Sequence, residues 1–167
     1  MNEAFALSEQ DHDRVVELLG RPLRGRCRVA VRGPGGDPAV IENEPFLEDG
    51  TPMPTLYWLL EPELSRAVGR LESAGGVDQA EAELGEELLA EVHAEHERAR
   101  SARIPESVSG PRPSGGVGGT RRGVKCLHAH LAAELAAGDP VGAWVRAHLA
   151  EEPGLAKLLD AMEVERG

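Results

Sequence analysis

The residue pattern between positions 25 and 41 restricts the fold more than any other part of this chain. Apolar side chains alternate with arginines from Arg26 to Arg32, which predicts a strand with one buried face. Residues 33–38 are rich in glycine and proline and predict a tight turn. Residues 39–41 are apolar again and predict a short returning strand. We therefore expect this part of the chain to form an antiparallel β-hairpin.

Most of the remaining sequence has the apolar periodicity of helices. Ser8, with an acid three residues later, resembles a capping box, and Pro62 suits the first position of a helix. Further helices are expected over residues 78–103 and 124–137, and two more follow toward the C-terminal end. The sequence thus predicts a mainly helical α+β fold, with one domain over residues 1–167 and a small antiparallel hairpin or sheet near the N-terminus.

The composition limits location and partners. The formal net charge is −11, from 29 acids and 18 bases, which argues against bulk binding to nucleic acid or to an anionic membrane. No apolar run approaches the roughly 20 residues that span a bilayer, so membrane insertion is not expected. The acidic N-terminal residues do not resemble a signal peptide, and two cysteines make no disulfide framework. These features predict a cytoplasmic location.

One of the two cysteines and two of the six histidines lie within five residues, at Cys126, His128 and His130. Thiolate and imidazole groups bind zinc and also serve as nucleophile and base. In a helix, Cys126 and His130 share a face, whereas His128 points toward the apolar side. Cys126, His130 and, from elsewhere in the fold, Glu61 are therefore candidate zinc ligands. The alternative is a buried thiol beside ordinary polar histidines, since this segment cannot supply four ligands.

The same three side chains form a candidate catalytic group. A helix N-terminus and the basic residues before it would lower the pKa of the Cys126 thiol. His128 or His130 would then act as the base. No third group that would orient the histidine is identifiable in the sequence. Whether the protein is an enzyme stays open at this point.

A segment rich in Pro, Ser and Gly, residues 105–119, predicts a mobile loop that leads into basic residues. Glycine amides, a helix N-terminus and basic side chains together favour binding of a phosphate or carboxylate group. The candidate ligand contacts are Gly118, Gly119, Thr120, Arg121, Arg122 and Lys125. The alternative is a flexible loop with solvated arginines, because Val124 stands where a phosphate-binding loop requires lysine.

The alternating arginines of the first predicted strand lie on one face. They either line an anion pocket or pair with the glutamate-rich helix predicted over residues 78–103, and pairing is the commoner arrangement. On that helix His93 and His96 match no metal-binding motif, so both are expected at the surface.

Residues 49–59 read DGTPMPTLYWL, and residues 123–130 read GVKCLHAH. Together they resemble an uncharacterised actinobacterial family, domain-of-unknown-function family 501, which has no established activity, cofactor or catalytic residue. The resemblance implies that relatives often carry cysteine near residues 33–36 and Cys or His at the position of Glu61. If those are metal ligands in relatives, Glu61 would replace one here. Family genes commonly neighbour those for a septum-formation initiator and an exopolyphosphatase, which implies a division-protein partner or a role in phosphate metabolism.

The leading hypothesis is an accessory or binding protein in which residues 115–130 pack against residues 49–61. A small anionic or phosphorylated ligand would lie between the two segments, with Thr55 and Tyr57 as further contacts. The alternatives are a Cys/His enzyme or zinc site, and an interaction protein of the division machinery.

Overall fold

The computed structural model describes residues 5–165. This part of the chain forms six α-helices and four β-strands. In chain order they are α1 (Glu9–Leu19), β1 (Gly25–Arg32), β2 (Pro38–Leu47), β3 (Tyr57–Leu59), α2 (Pro62–Ser73), α3 (Gly76–Ser101), α4 (Leu127–Ala137), α5 (Pro140–Leu149), α6 (Pro153–Asp160) and β4 (Glu163–Val164). The fold is mainly helical α+β with one small antiparallel sheet, as predicted. Across residues 5–165, no helix has the length and apolar character to cross a membrane.

The sheet has the strand order β3-β2-β1-β4, and every neighbouring pair is antiparallel. The predicted β1–β2 hairpin is confirmed, and Val29 lies opposite Ile41 in its register. The densest apolar run of the sequence supplies β3, which pairs with β2 so that Val40 lies opposite Leu59. The sequence does not predict β4, because two residues are too few to show an alternating pattern.

The two faces of the sheet contact different apolar clusters. On one face, Val15 of α1 packs with Cys27 of β1 and Ile41 of β2. On the other face, Val31 and Val40 belong to the main core, which the helices complete. α4 lies inside this core and is buried along most of its length, at Leu127, Ala129, His130, Leu131, Ala132, Ala133 and Leu135. A helix that is apolar on nearly all sides requires such a central position.

α5 packs directly against α4. Asp139 is the N-cap of α5, and its Oδ1 accepts a hydrogen bond from the Gly142 amide at 2.8 Å. A Cβ atom at Gly142 would lie 2.2 Å from the carbonyl oxygen of His130, so only glycine fits at this contact. The approach of the two helices therefore depends on the absence of a side chain.

Two helices differ from their predicted extents. The helix expected over residues 78–103 is α3, which is interrupted at Gly85, where φ is 81° and ψ is 159°. Glycine adopts such positive φ values at little cost. The helix expected from residue 124 begins at Leu127, because Cys126 is extended, with φ −153° and ψ 141°. The apolar spacing that predicts a helix from residue 124 therefore starts three residues before α4 does.

The arginines of β1 pair with carboxylates outside α3. Arg28 donates two hydrogen bonds to Glu42 of β2, at 2.9 and 2.6 Å. Arg32 donates to both carboxylate oxygens of Asp11 in α1, each at 2.9 Å. Arg103, just beyond α3, donates to the other oxygen of Glu42. The expected pairing with the glutamates of the long helix is wrong, because Arg28 pairs with its cross-strand neighbour Glu42 and Arg32 pairs with Asp11 of α1.

We expect Glu42→Gln to lower the free energy of unfolding by about 2–4 kcal/mol, measured by urea denaturation. Glu42 is 1% exposed, and its removal leaves the guanidinium groups of Arg28 and Arg103 without their shared anion. Glu44→Gln on the same strand is the control, since the Glu44 carboxylate lies 3.9 Å from Arg26 and is more exposed. That change should cost about 0.5 kcal/mol or less. Equal losses in the two variants would contradict a stabilising role for the buried carboxylate.

Candidate metal centre

Cys126 is the N-cap residue of α4. Its Sγ accepts a hydrogen bond from the Ala129 amide at 3.4 Å, in the way that a serine or aspartate oxygen accepts in the usual cap. The sulfur is therefore held at the first turn of the helix, beside His128. The expected pairing of Cys126 with His130 is wrong, because it required both residues to lie inside the helix.

Glu72, near the end of α2, completes a cluster with Cys126 and His128. Its Oε1 accepts a hydrogen bond from the Leu127 amide at 2.7 Å and lies 3.1 Å from His128 Nδ1. One potential ligand atom from each of the three side chains lies within 4.8 Å of the other two. Within residues 5–165 this is the one group of three such side chains close enough to hold a metal ion. All three are partly exposed, so solvent reaches the cluster.

Both imidazole nitrogens of His128 face acceptors. Nε2 lies 3.0 Å from the Ser65 carbonyl oxygen, and Nδ1 faces Glu72. The hydrogen bond with Cys126 raises the pKa of His128 most, burial opposes it, and Ser65 and Glu72 add to the rise, which brings the pKa to about 9. In the absence of a metal, His128 is therefore an imidazolium at neutral pH.

The pKa of the Cys126 thiol lies below its ordinary value. Burial favours the neutral thiol, but the hydrogen bonds from His128 and from the Ala129 amide outweigh that effect. A thiolate at a helix N-terminus is also favoured by the helix dipole. Cys126 thus has the electronic character of either a metal ligand or a nucleophile.

The arrangement differs from a nucleophile–histidine–carboxylate relay. In a relay, the nucleophile and the carboxylate contact opposite nitrogens of the imidazole ring. Here Nε2 of His128 is engaged by the Ser65 carbonyl, and Nδ1 already faces the Glu72 carboxylate. Glu72, Cys126 and His128 converge on one region of space instead of forming a chain, so a single ion could contact all three.

Two predicted metal ligands lie outside the cluster. His130 is fully buried, and its Nδ1 lies 3.1 Å from both carboxylate oxygens of Asp139. Glu61 is the N-cap of α2, and its Oε2 accepts from the Leu64 amide at 2.6 Å. The structure therefore does not bring His130 and Glu61 together with Cys126. The residue that the sequence did not reveal is Glu72, which sits in an ordinary amphipathic helix with no motif around it.

The expected surface histidines are buried. His93 Nδ1 accepts from the Val117 amide at 3.1 Å, and its Nε2 donates to the Gly123 carbonyl at 2.7 Å. Burial and, second to it, the nearby charge of Arg100 lower the pKa of His96 to about 4. The prediction failed because this face of α3 packs against the polar backbone of the glycine-rich segment.

Arg100 attaches the predicted mobile loop to α3. It is fully buried and donates to the carbonyl groups of Pro113 and Gly115, at 3.3 and 2.8 Å, and to that of Pro54 at 2.9 Å. Gly116 fits only without a side chain, since a Cβ atom there would lie 2.4 Å from His93 Cβ. The C-terminal part of residues 105–119 is thus anchored to the core.

The predicted anion-binding segment is held by internal contacts. The amides of Gly116 and Gly119 donate to the carbonyls of Thr120 and Gly116, at 2.7 and 2.9 Å. Lys125 Nζ donates to the Gly118 carbonyl at 3.0 Å, and Thr120 Oγ1 donates to that of Arg122 at 2.9 Å. Arg121 and Arg122 line a cavity of about 700 Å³ together with the acids Asp78, Glu81 and Glu86.

Thr55 and Tyr57, the other predicted ligand contacts, form hydrogen bonds with Asn43 and Arg103. The Thr55 carbonyl accepts from the Asn43 side chain at 3.2 Å, and the buried Tyr57 hydroxyl accepts from Arg103 at 3.3 Å. These contacts belong to the sheet and its packing against α3.

The family model described as protein of unknown function (DUF501) matches residues 29–147. The chain belongs to the DUF501 family. The region shared with DUF501 contains Glu72, Cys126 and His128, so the whole candidate metal centre lies inside it. The chain shows no significant similarity to a curated protein or to a solved structure.

In chelator-treated protein, we expect iodoacetamide to alkylate Cys126 at neutral pH faster than an ordinary thiol, because the thiolate is the reactive form. Lowering the pH through the depressed pKa of Cys126 protonates the sulfur and slows the reaction. His128→Gln removes a cation that persists until the pH approaches 9, so the pH–rate curve should move to higher pH by about one unit.

Labelling rates followed by mass spectrometry measure both effects. Cys27 is the internal control, because burial raises its pKa to about 11 and it should stay unlabelled while the protein is folded. Identical pH–rate curves for the wild type and His128→Gln would contradict coupling between the two side chains.

Proposed function

We propose that this protein binds a zinc ion through Glu72, Cys126 and His128. The observation that carries the proposal is the convergence of a carboxylate oxygen, a sulfur and an imidazole nitrogen within 4.8 Å of one another. Sulfur, nitrogen and oxygen donors together suit Zn²⁺, whereas Mg²⁺ and Ca²⁺ prefer oxygen ligands alone.

Each proposed ligand has a supporting hydrogen bond from the backbone or to it. Ser65 accepts from Nε2–H of His128 at 3.0 Å, which fixes the tautomer that leaves the Nδ1 lone pair for a metal. The Leu127 amide donates to Glu72, and the Ala129 amide donates to Cys126. Such outer contacts orient the ligands of natural zinc sites.

Glu72, Cys126 and His128 would supply three ligands, and the cluster is open to solvent. Structural zinc sites are usually closed by four protein ligands, whereas catalytic sites keep one position open. A zinc ion held by these residues would supply Lewis-acid chemistry toward a water molecule or toward a carbonyl or phosphoryl oxygen. We therefore infer a hydrolytic or Lewis-acid role, in a reducing compartment such as the cytoplasm, where Cys126 stays a thiolate.

The second candidate function is thiol chemistry at Cys126 without a metal. It is favoured by the lowered pKa of the Cys126 thiol and by its partial exposure. The anion-binding hypothesis for residues 115–130 has less support, because the amides of Gly116 and Gly119 already donate within the segment. A division-protein partner remains an expectation of the family resemblance.

We expect protein purified without chelators and supplied with zinc to bind one ion per chain, measured by elemental mass spectrometry after dialysis. Glu72→Gln, Cys126→Ser and His128→Gln should each weaken binding by about tenfold or more, since each removes one of three ligands. Serine retains the helix cap and glutamine retains an acceptor, so the fold is preserved. Substituted Co²⁺ should give a sulfur-to-metal charge-transfer band that Cys126→Ser abolishes.

Glu81→Gln is the matched control. Its Oε1 accepts from the Val124 amide at 2.7 Å, as Glu72 accepts from Leu127, but Glu81 lies outside the cluster. Zinc binding that Glu81→Gln weakens as much as Glu72→Gln would contradict the proposed site. A protein that binds no zinc while Cys126 is alkylated rapidly would instead favour the thiol function.

A further inference from the structure

A cavity of about 190 Å³ opens where the α1–β1 connection meets β2 and β3. Its apolar wall includes Leu23, Met53 and the Trp58 ring, and its charged wall includes Arg21, Arg24 and Arg26. Glu44 is the one carboxylate on the lining, so the cavity is cationic in a chain whose net charge is −11. The metal centre contributes no residue to it.

Arg24 is held more loosely than Arg28 of β1. Its guanidinium lies 3.7 Å from the Asp49 carboxylate. By contrast, Arg28 lies 2.6 Å from Glu42. At the longer distance opposite charges attract without a good hydrogen bond.

Arg21 pairs with an aromatic ring. Its guanidinium carbon lies 4.9 Å from the centroid of Trp58, and within residues 5–165 it forms no ion pair with a carboxylate. This cation–π contact places the guanidinium beside the Trp58 ring while leaving its N–H donors for another acceptor. Arg21 and Arg24 line the same cavity as the indole ring.

We propose that this cavity binds a small organic phosphate whose apolar body lies against Trp58. Arginine forks match the oxygens of a phosphate group and bind it with charge-assisted hydrogen bonds. The volume lies below the roughly 300–1,000 Å³ of pockets for drug-sized ligands, which restricts the ligand to a small metabolite. The proposal is independent of the zinc site, since the two share no residue.

The test uses phenyl phosphate as the probe and Trp58 emission as the signal. Trp144→Phe removes the other tryptophan of the chain and serves as the background. In this protein phenyl phosphate should change the emission saturably, and inorganic phosphate and phenol should each bind at least about tenfold more weakly, because each lacks one half of the recognised ligand.

The double change Arg21→Gln and Arg24→Gln should weaken phenyl phosphate binding by about tenfold or more. Isothermal titration checks this independently of the emission change caused by losing the cation–π contact. Arg98→Gln is the control, because Arg98 is an exposed arginine of α3 far along the chain from the cavity and should leave the affinity unchanged.

Three outcomes would overturn the proposal: no saturable binding at millimolar phenyl phosphate, equal binding of phenol, or an affinity unaffected by the double change. Carboxylate specificity is tested with benzoate, and tighter binding of benzoate than of phenyl phosphate would overturn the assignment to phosphate.

Discussion

The burial of α4 requires partners for the amides at its N-terminal end, and these partners include two side chains of the candidate metal centre. The first amides of a helix have no partner within the helix, and leaving one unpaired in the interior costs about 1–3 kcal/mol. Glu72 and Cys126 satisfy the amides of Leu127 and Ala129. A carboxylate and a thiol are thus brought together by the backbone, and His128 on the first turn meets both. The candidate ligand set arises from what is, locally, a helix cap.

The polar face of α3 shows a second way in which backbone requirements shape this fold. His93, His96 and Arg100 are spaced three and four residues apart, so they share one face of the helix. The side chains of His93 and Arg100 form hydrogen bonds with carbonyl groups and one amide of the glycine-rich segment. Glycine permits the chain to lie close enough for these contacts, as Gly116 does against His93. Polar side chains can therefore fill an interior when their partners are backbone groups.

The parts of the structure that the sequence predicts correctly have local signals. The hairpin follows from alternation and a Gly/Pro turn, and Ser8 and Pro62 mark helix starts that the structure confirms. Glu72 carries no local signal, since its role depends on α2 lying beside the start of α4. Cysteine is an uncommon helix cap, and the apolar period predicts a helix that starts before Cys126. That prediction placed Cys126 and His130 on the same helix face. The extended backbone of Cys126 places its thiol beside His128 and not beside His130.

The contact at Gly142 has a mechanical consequence for the candidate centre. With backbone against backbone at this point, α4 cannot slide along its axis without colliding with α5. Asp139 adds a lateral restraint, because it caps α5 and also holds the buried His130 of α4. The axial position of the first turn of α4 is consequently set at His130, where that turn meets Gly142 of α5. A glycine with no chemistry of its own defines where the sulfur and the imidazole stand relative to the rest of the molecule.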